Sequence, residues 1–157
     1  MSAVTVRDFR PSDADAFRDL NLAWVESFFT VEPEDRAQLE DPQTHILDKG
    51  GAILIADLSD ETVGTVGLVP GHRDDVLELI KMSARSDLHG KGIGRALMDA
   101  AVDKARAMGA NQIWLETNTK LAAALALYRK SGFRTLSGDE LTATPYDRCN
   151  CQMLLDL

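Results

Sequence analysis

Gly90, Gly92 and Gly94 alternate with Lys91 and Ile93, and Arg95 follows. Glycines at this density remove the side chains that would hold a ligand away from the backbone. The surrounding stretch, residues 82–98 (MSARSDLHGKGIGRALM), leaves an apolar strand, crosses the glycine loop and enters a helix. Backbone N–H groups at such a helix start bind an anion, most simply a phosphate. Lys91 and Arg95 add positive charge beside it. A second residue with chemical potential is Glu78, an acid within the otherwise apolar run 76–84. A carboxylate inside a buried strand is costly unless it is paired or used. It is either paired, with Lys81 or Arg85 as the candidate partners, or used. Glu116 is a second acid, on the strand expected after the helix.

Two common phosphate loops do not match. The nucleotide-binding loop Gly-x-x-x-x-Gly-Lys followed by Ser or Thr is absent. The dinucleotide fingerprint needs Gly-x-Gly-x-x-Gly after a first strand, with an acid about 20 residues on. Here the glycines run Gly-x-Gly-x-Gly after what reads as the fourth strand.

The elements that must position these residues follow from periodicity and turn chemistry. Alternation over Val4 to Phe9 predicts a strand ended by Pro11. Ser12 and Asp15 resemble a capping box. Ala14, Phe17, Leu20, Asn21, Trp24 and Phe28 then recur at helical spacing. Trp24, Phe28 and Phe29 are core candidates and also candidates for one wall of a substrate pocket. Residues 31–50 are charged and broken by Pro33 and Pro42; a short helix over Glu34 to Glu40 and anchors at Ile46 and Leu47 are expected, and the segment could act as a lid. Strands are predicted at 52–58, 62–69 and 76–84. The turn at 59–61 joins the first two, and His72 lies in a polar loop before the third, where it is a candidate to line the substrate site. A helix ending at Gly109, a strand over 112–117, a helix over 120–130 ended by Gly132, and strands at 133–136 and 149–155 complete the chain. No repeat or composition shift divides it, so a single domain over 1–157 is expected.

Composition sets outer limits. The chain has 157 residues, 45% hydrophobic and 27% charged, and a net charge of −8. Nucleic-acid binding rests on a basic footprint and is disfavoured. The acidity suits a cationic substrate, though it also serves solubility. No apolar run approaches the roughly 18 residues of a membrane helix, and the N-terminus lacks the basic-then-apolar pattern of a secretory signal. A cytoplasmic location, with no membrane partner, is the expectation. Cys149 and Cys151 fit neither a redox nor a metal spacing and are read as reduced, packed thiols; no metal is expected.

The loop His89-Gly-Lys-Gly-Ile-Gly-Arg95, followed by a strand and then by Ala-Leu-Ala-Leu-Tyr-Arg-Lys-Ser-Gly-Phe at 124–133, resembles the GNAT superfamily of N-acetyltransferases. That family's pyrophosphate loop, Arg/Gln-x-x-Gly-x-Gly/Ala, maps onto His89, Gly92 and Gly94. Its second signature maps onto Leu127, Tyr128, Gly132 and Phe133. The resemblance implies a mixed, mostly antiparallel α/β (α+β) sheet of about seven strands with flanking helices, splayed between the fourth and fifth strands. It implies acetyl-CoA as co-substrate, with the backbone near Met82, Ser83 and Ala84 along the pantetheine arm and Gly90 to Arg95 around the pyrophosphate. Tyr128 is then the general acid, Glu78 the base, and a primary amine, most simply of a small molecule, the acceptor. A protein lysine or N-terminus as acceptor, or a non-catalytic CoA sensor, are the alternatives, and a homodimer is compatible with the family. There are two departures. His89 replaces Arg or Gln, and Leu121 stands where many members carry an Asn, a role that Asn118 is expected to take. If His89 holds part of the pyrophosphate as an imidazolium, affinity for acetyl-CoA weakens as pH rises through its titration. Calorimetry across that range checks this, and a flat affinity assigns the contact to the backbone alone.

Overall fold

The computed structural model describes residues 3–88 and 90–157; His89 lies outside them, so the expectation placed on it is carried no further. The order is β1 (Thr5–Asp8), α1 (Ala14–Phe28), α2 (Pro33–Glu40), β2 (Ala52–Leu58), β3 (Glu61–Pro70), β4 (Val76–Ala84), α3 (Ile93–Ala107), β5 (Gln112–Thr117), α4 (Ala122–Lys130), β6 (Arg134–Thr135) and β7 (Cys151–Asp156). The strands form one sheet in the order β1-β2-β3-β4-β5-β7-β6. Every neighbouring pair is antiparallel except β4 and β5.

Alternation along the strands divides the core between the two faces. Leu54, Ala56, Leu77, Leu79, Ile113, Leu115 and Met153 point to one face, where Leu97, Met98, Ala101 and Ala105 of α3 and Leu125 and Tyr128 of α4 cover them. Ile53, Ile55, Val69 and Ile80 point to the other face, against Phe17 of α1, Leu39 of α2 and Ile46. Beyond β4, the second face carries Val76, Trp114, Leu136 and Leu154 as a separate cluster. Among the described residues no helix is long and apolar enough to cross a membrane.

Several local expectations are corrected. The first helix is not capped by Ser12 and Asp15. A 3-10 turn over Pro11–Asp13 precedes it, and Asp13 accepts from the Arg10 N–H at 2.7 Å and from Arg7 at 2.8 Å. Arg7 also binds Asp57 at 2.7 Å, so the carboxylate that turns the chain is engaged by β1 and its neighbour strand. The final helix starts two residues later than expected, at Ala122. β7 starts at Cys151, so Cys149 precedes the strand rather than sharing a face with Cys151. Both thiols are free.

The approach of α3 to the sheet depends on Gly64. A Cβ there would sit 2.9 Å from both Ile93 Cγ2 and Leu97 Cδ1 and 3.1 Å from the Ser83 carbonyl oxygen. Gly64→Ala therefore pushes against the buried Ile93 and Leu97 side chains of α3 and against the fixed Ser83 carbonyl of β4. Its expected cost is about 1–3 kcal/mol, read as a lowered denaturant midpoint with an unchanged slope.

Candidate active site

β4 and β5 pair over only three positions, Val76↔Gln112, Leu77↔Ile113 and Glu78↔Trp114. Past Glu78 the strands part, and the β4 backbone groups that face β5 lose their ladder partners. Glu78 therefore stands at the crotch of a fork. It lies on the same sheet face as Ile80, and Glu116 lies on that face of β5, two residues past Trp114.

A β-bulge shapes the β4 side of the fork. Between the pairs Thr65↔Ser83 and Gly67↔Ile80, Val66 alone opposes both Lys81 and Met82. Lys81 takes φ +50°, a left-handed conformation that a lysine holds only against a cost. The surroundings maintain it. The Thr65 hydroxyl donates to the Lys81 carbonyl at 2.9 Å and accepts from Asn21 Nδ2 at 3.0 Å, while Asn21 also donates to the Phe17 carbonyl at 2.8 Å. Asn21 and Thr65 are buried, so this chain of bonds ties α1 to the bulge in a water-free setting. The bulge breaks the alternation of β4 and sends the Lys81 side chain to the same face as Ile80.

There Lys81 Nζ meets Asp35 of α2 at 2.6 Å. Asp35 is fully buried. It also accepts two bonds from Arg148, at 2.6 and 2.7 Å, and one from the Glu32 N–H at 2.9 Å. Arg148 lies 4.4 Å over the Tyr146 ring. One carboxylate thus fastens the α2 helix, the β4 bulge and the segment before β7 together. Burial alone would push the Asp35 carboxyl up, but the Arg148 and Lys81 bonds hold it well below the usual carboxylate range.

Two clefts open from the fork. One runs between β4 and the starts of α3 and α4, past Met82, Ser83, Ala84, Gly90, Gly92, Gly94, Lys120 and Phe28. Gly92 is the N-cap of α3 and has φ +78°. A Cβ on Gly90 or Gly92 would meet nothing within 4 Å, so the loop faces open space with the unpaired first N–H groups of the helix. The other cleft holds Glu78, Glu116, Thr117, Asn118, Phe29, Tyr146, Arg148 and Cys149. Trp24, Met82, Leu121 and Tyr128 line both, marking the place where the clefts meet.

The groups at this junction have shifted titrations. Burial, reinforced by the Glu116 charge and opposed by Lys81, pushes the Glu78 carboxyl up to about 7. Burial also raises Glu116, against a bond from Thr144 and the Arg148 charge. It pushes the Tyr128 hydroxyl up to about 12. Cys149 is raised to about 12 by burial and by Glu116, so its thiol is a poor nucleophile.

The structure brings most of the expected site residues to these clefts, with exceptions. Glu78 is not paired with Lys81 or Arg85: Lys81 binds Asp35, and Arg85 binds Glu61 at 2.8 Å and Asp87 at 2.7 Å. His72 is exposed, lies outside both clefts and meets Trp114 edge-on at 5.6 Å. Phe28 lines the glycine-loop cleft, whereas Phe29 lines the other. Asn118 sits on the Glu78 side, with its amide donating to the Arg148 carbonyl at 2.7 Å and its oxygen accepting from the Lys120 N–H at 2.9 Å. Arg95 binds Asp99 at 3.2 Å on the helix surface, and neither it nor Lys91 lines a cleft. The sequence reading missed Asp35, Tyr146, Arg148 and the Asn21–Thr65 pair. Pro33 at a helix start, with Asp35 in the first turn, was the only local signal for any of them.

A mixed seven-stranded sheet forked after its one parallel pairing, with a glycine loop opening a helix at the fork, is a fold shared with solved acetyltransferases. An acetyltransferase of the GNAT family from Staphylococcus aureus superposes with a TM-score of 0.87 at 21% identity, covering 98% of this chain and 99% of its own. A Bacillus subtilis acetyltransferase solved in complex with CoA superposes with a TM-score of 0.69 at 23% identity, over 100% and 99% of the two chains. The profile of the acetyltransferase (GNAT) family matches residues 15–133, and the chain belongs to that family. Among sequence relatives, an uncharacterized N-acetyltransferase of Escherichia coli, YjgM, is 34% identical over 69% of this chain. YvbK, an uncharacterized N-acetyltransferase of Bacillus subtilis, is 32% identical over 64%. The matched stretches span 65% and 66% of those relatives' lengths.

Asp35→Asn leaves Lys81 and Arg148 buried without their shared charge. The expected loss is about 3–5 kcal/mol, measured by urea unfolding at neutral pH. Because the folded carboxyl titrates below its ordinary 3.8, its contribution is present above that pH and fades as pH falls through the folded value. The gap between wild type and variant therefore narrows in acid.

Proposed function

We propose that the chain is a single-domain acetyltransferase that moves the acetyl group of acetyl-CoA to a primary amine of a small molecule, by direct attack within a ternary complex. The observation that carries this reading is the meeting of two clefts at Tyr128 and Met82, with Glu78 on one side and the glycine loop on the other. Two structural neighbours with CoA-type ligands, the B. subtilis acetyltransferase with CoA and a Salmonella typhimurium protein with acetyl-CoA, support the co-substrate.

The residues fit that co-substrate. Open space over Gly90 and Gly92 and the N–H groups opening α3 suit a pyrophosphate. The unpaired edge of β4 past Glu78 suits the amides of a pantetheine arm, which would extend the sheet into the fork. The thioester then lies at the junction. Glu78, titrating near 7, accepts the proton of the incoming ammonium directly or through water, and the free amine attacks the thioester carbon. Tyr128, still protonated up to about 12, gives its proton to the departing thiolate. A base that ionises near neutral pH beside an acid that stays protonated is what such a step needs.

A small acceptor is favoured over a protein. The acceptor cleft is lined by Trp24 and Phe29 and narrowed by Tyr146, Arg148 and Cys149 of the segment that Asp35 fastens to α2. A polypeptide needs an open groove.

Release of free CoA thiol across a panel of amines tests the reading. In the wild type kcat/KM rises with pH up to about 7 and then levels, because the base works only when ionised and the acid stays protonated. Glu78→Gln removes that rising limb. Tyr128→Phe lowers kcat on the order of a hundredfold with acetyl-CoA affinity retained. Binding of acetyl-CoA with no thiol release from any amine would make the chain a CoA-binding module instead.

A further inference from the structure

The acceptor cleft is unevenly charged. Its two cations, Lys81 and Arg148, both spend their charge on Asp35 at 2.6 Å, and Arg148 reaches Glu32 at 3.3 Å. Glu78 and Glu116 make no ion pair among the described residues. What offsets the burial of Glu116 is the neutral Thr144 side chain and, through space, the charge of Arg148, whose hydrogen bonds go to Asp35 and Glu32. Glu116 Oε1 is buried with no hydrogen-bond partner, an arrangement that is costly until a donor arrives. The aromatic wall is similarly divided. Lys120 lies 4.2 Å over Phe29 and Arg148 4.4 Å over Tyr146. Among the described residues no cation lies over Trp24, whose ring neighbours are Phe28 and Phe29 at 5.6 and 6.3 Å, and indole is the best of the aromatic faces for a cation.

We propose that the acceptor carries two cationic nitrogens, as a diamine or polyamine does. One is the amine that reacts beside Glu78. The other stays protonated and pairs with Glu116, and Trp24 walls the chain between them. This rests on the reading of the cleft as an amine-acceptor site. A monoamine would leave Glu116 Oε1 unsatisfied. An acceptor with a carboxylate, such as an amino acid, would need a free cation where both are already engaged. In the transfer the reacting ammonium loses one proton to Glu78, its nitrogen bonds to the acetyl carbon, the carbon–sulfur bond breaks, the thiolate takes the Tyr128 proton, and the amide nitrogen sheds its second proton, which restores Tyr128, while Glu78 returns its proton to solvent. The second ammonium enters and leaves unchanged.

Calorimetry on the full chain saturated with CoA, titrated with cadaverine, n-pentylamine and aminopentanol, tests the proposal alongside thiol release from acetyl-CoA with the same amines. Cadaverine is expected to bind on the order of a hundredfold more tightly than n-pentylamine, the scale of a desolvated charge pair, with aminopentanol near the monoamine. Glu116→Gln brings the ratio toward one, chiefly through the diamine, and retained acetyl-CoA binding shows that the variant is folded. Equal affinities in the wild type, which need no variant, or an unchanged ratio in Glu116→Gln overturn the proposal. Diamine preference without thiol release upholds the two-cation site and sinks the transfer reading. Equal turnover of monoamine and diamine sinks it and leaves acetyl transfer standing.

Discussion

The structure depends on β4 and β5 parting after Glu78. Parallel strands ordinarily continue until a turn stops them, because unpaired backbone groups away from water are costly. Here pairing ends with Glu78↔Trp114, although β4 runs on to Ala84 and β5 to Thr117. The rest of the molecule accommodates that break. α3 and α4 cover one face up to the fork and leave the glycine loop at its mouth. α1 and α2 cover the other face. The two clefts are the two sides of one missing stretch of ladder.

A fork left to itself would close or fray, and the bulge at Lys81 and Met82 opposes both. It twists the end of β4 away from β5, and its left-handed residue is held by Thr65 from the neighbouring strand and Asn21 from α1. By turning Lys81 onto the α2 face, it also lets one carboxylate, Asp35, bind β4 to the segment before β7. That segment follows β6 and leads into β7, the strand paired with β5. The ion cluster therefore spans the opening from one arm of the fork to the other, bridging where the backbone does not.

Local chemistry was legible in the sequence and the bridge was not. The bounds 52–58, 76–84 and 112–117 follow from apolar runs and turn residues, and the structure has the same bounds. The glycine loop and its helix were legible because glycine's use is a property of a few consecutive residues. The splay and the parallel pairing came from the family resemblance, which carries topology that periodicity cannot. Asp35 lies 46 residues from Lys81 and 113 from Arg148. In a charged helical segment it reads as one more solvated acid. Lys81 likewise reads as a candidate partner for Glu78, since nothing local announces the bulge that turns it toward Asp35. Cys149 and the final strand were misplaced for a related reason: the long segment before β7 is shaped by its contacts with α2 and Thr117, not by its own pattern.

Asp35 and Glu78 are both carboxyls withdrawn from water on the same side of the sheet, yet their surroundings drive them in opposite directions. Asp35 has two cations and a backbone N–H, and its charge is locked in. Glu78 has Lys81 only at long range, because Lys81 is already held by Asp35, and it faces a second acid in Glu116. Had Lys81 paired with Glu78, the fork would hold a satisfied ion pair and no group able to change protonation near neutral pH. In the acetyl-transfer reading proposed above, Asp35 contributes to the chemistry without touching the substrate. By engaging Lys81 it leaves Glu78 destabilised as a carboxylate, and the raised proton affinity suits the base role proposed for that residue.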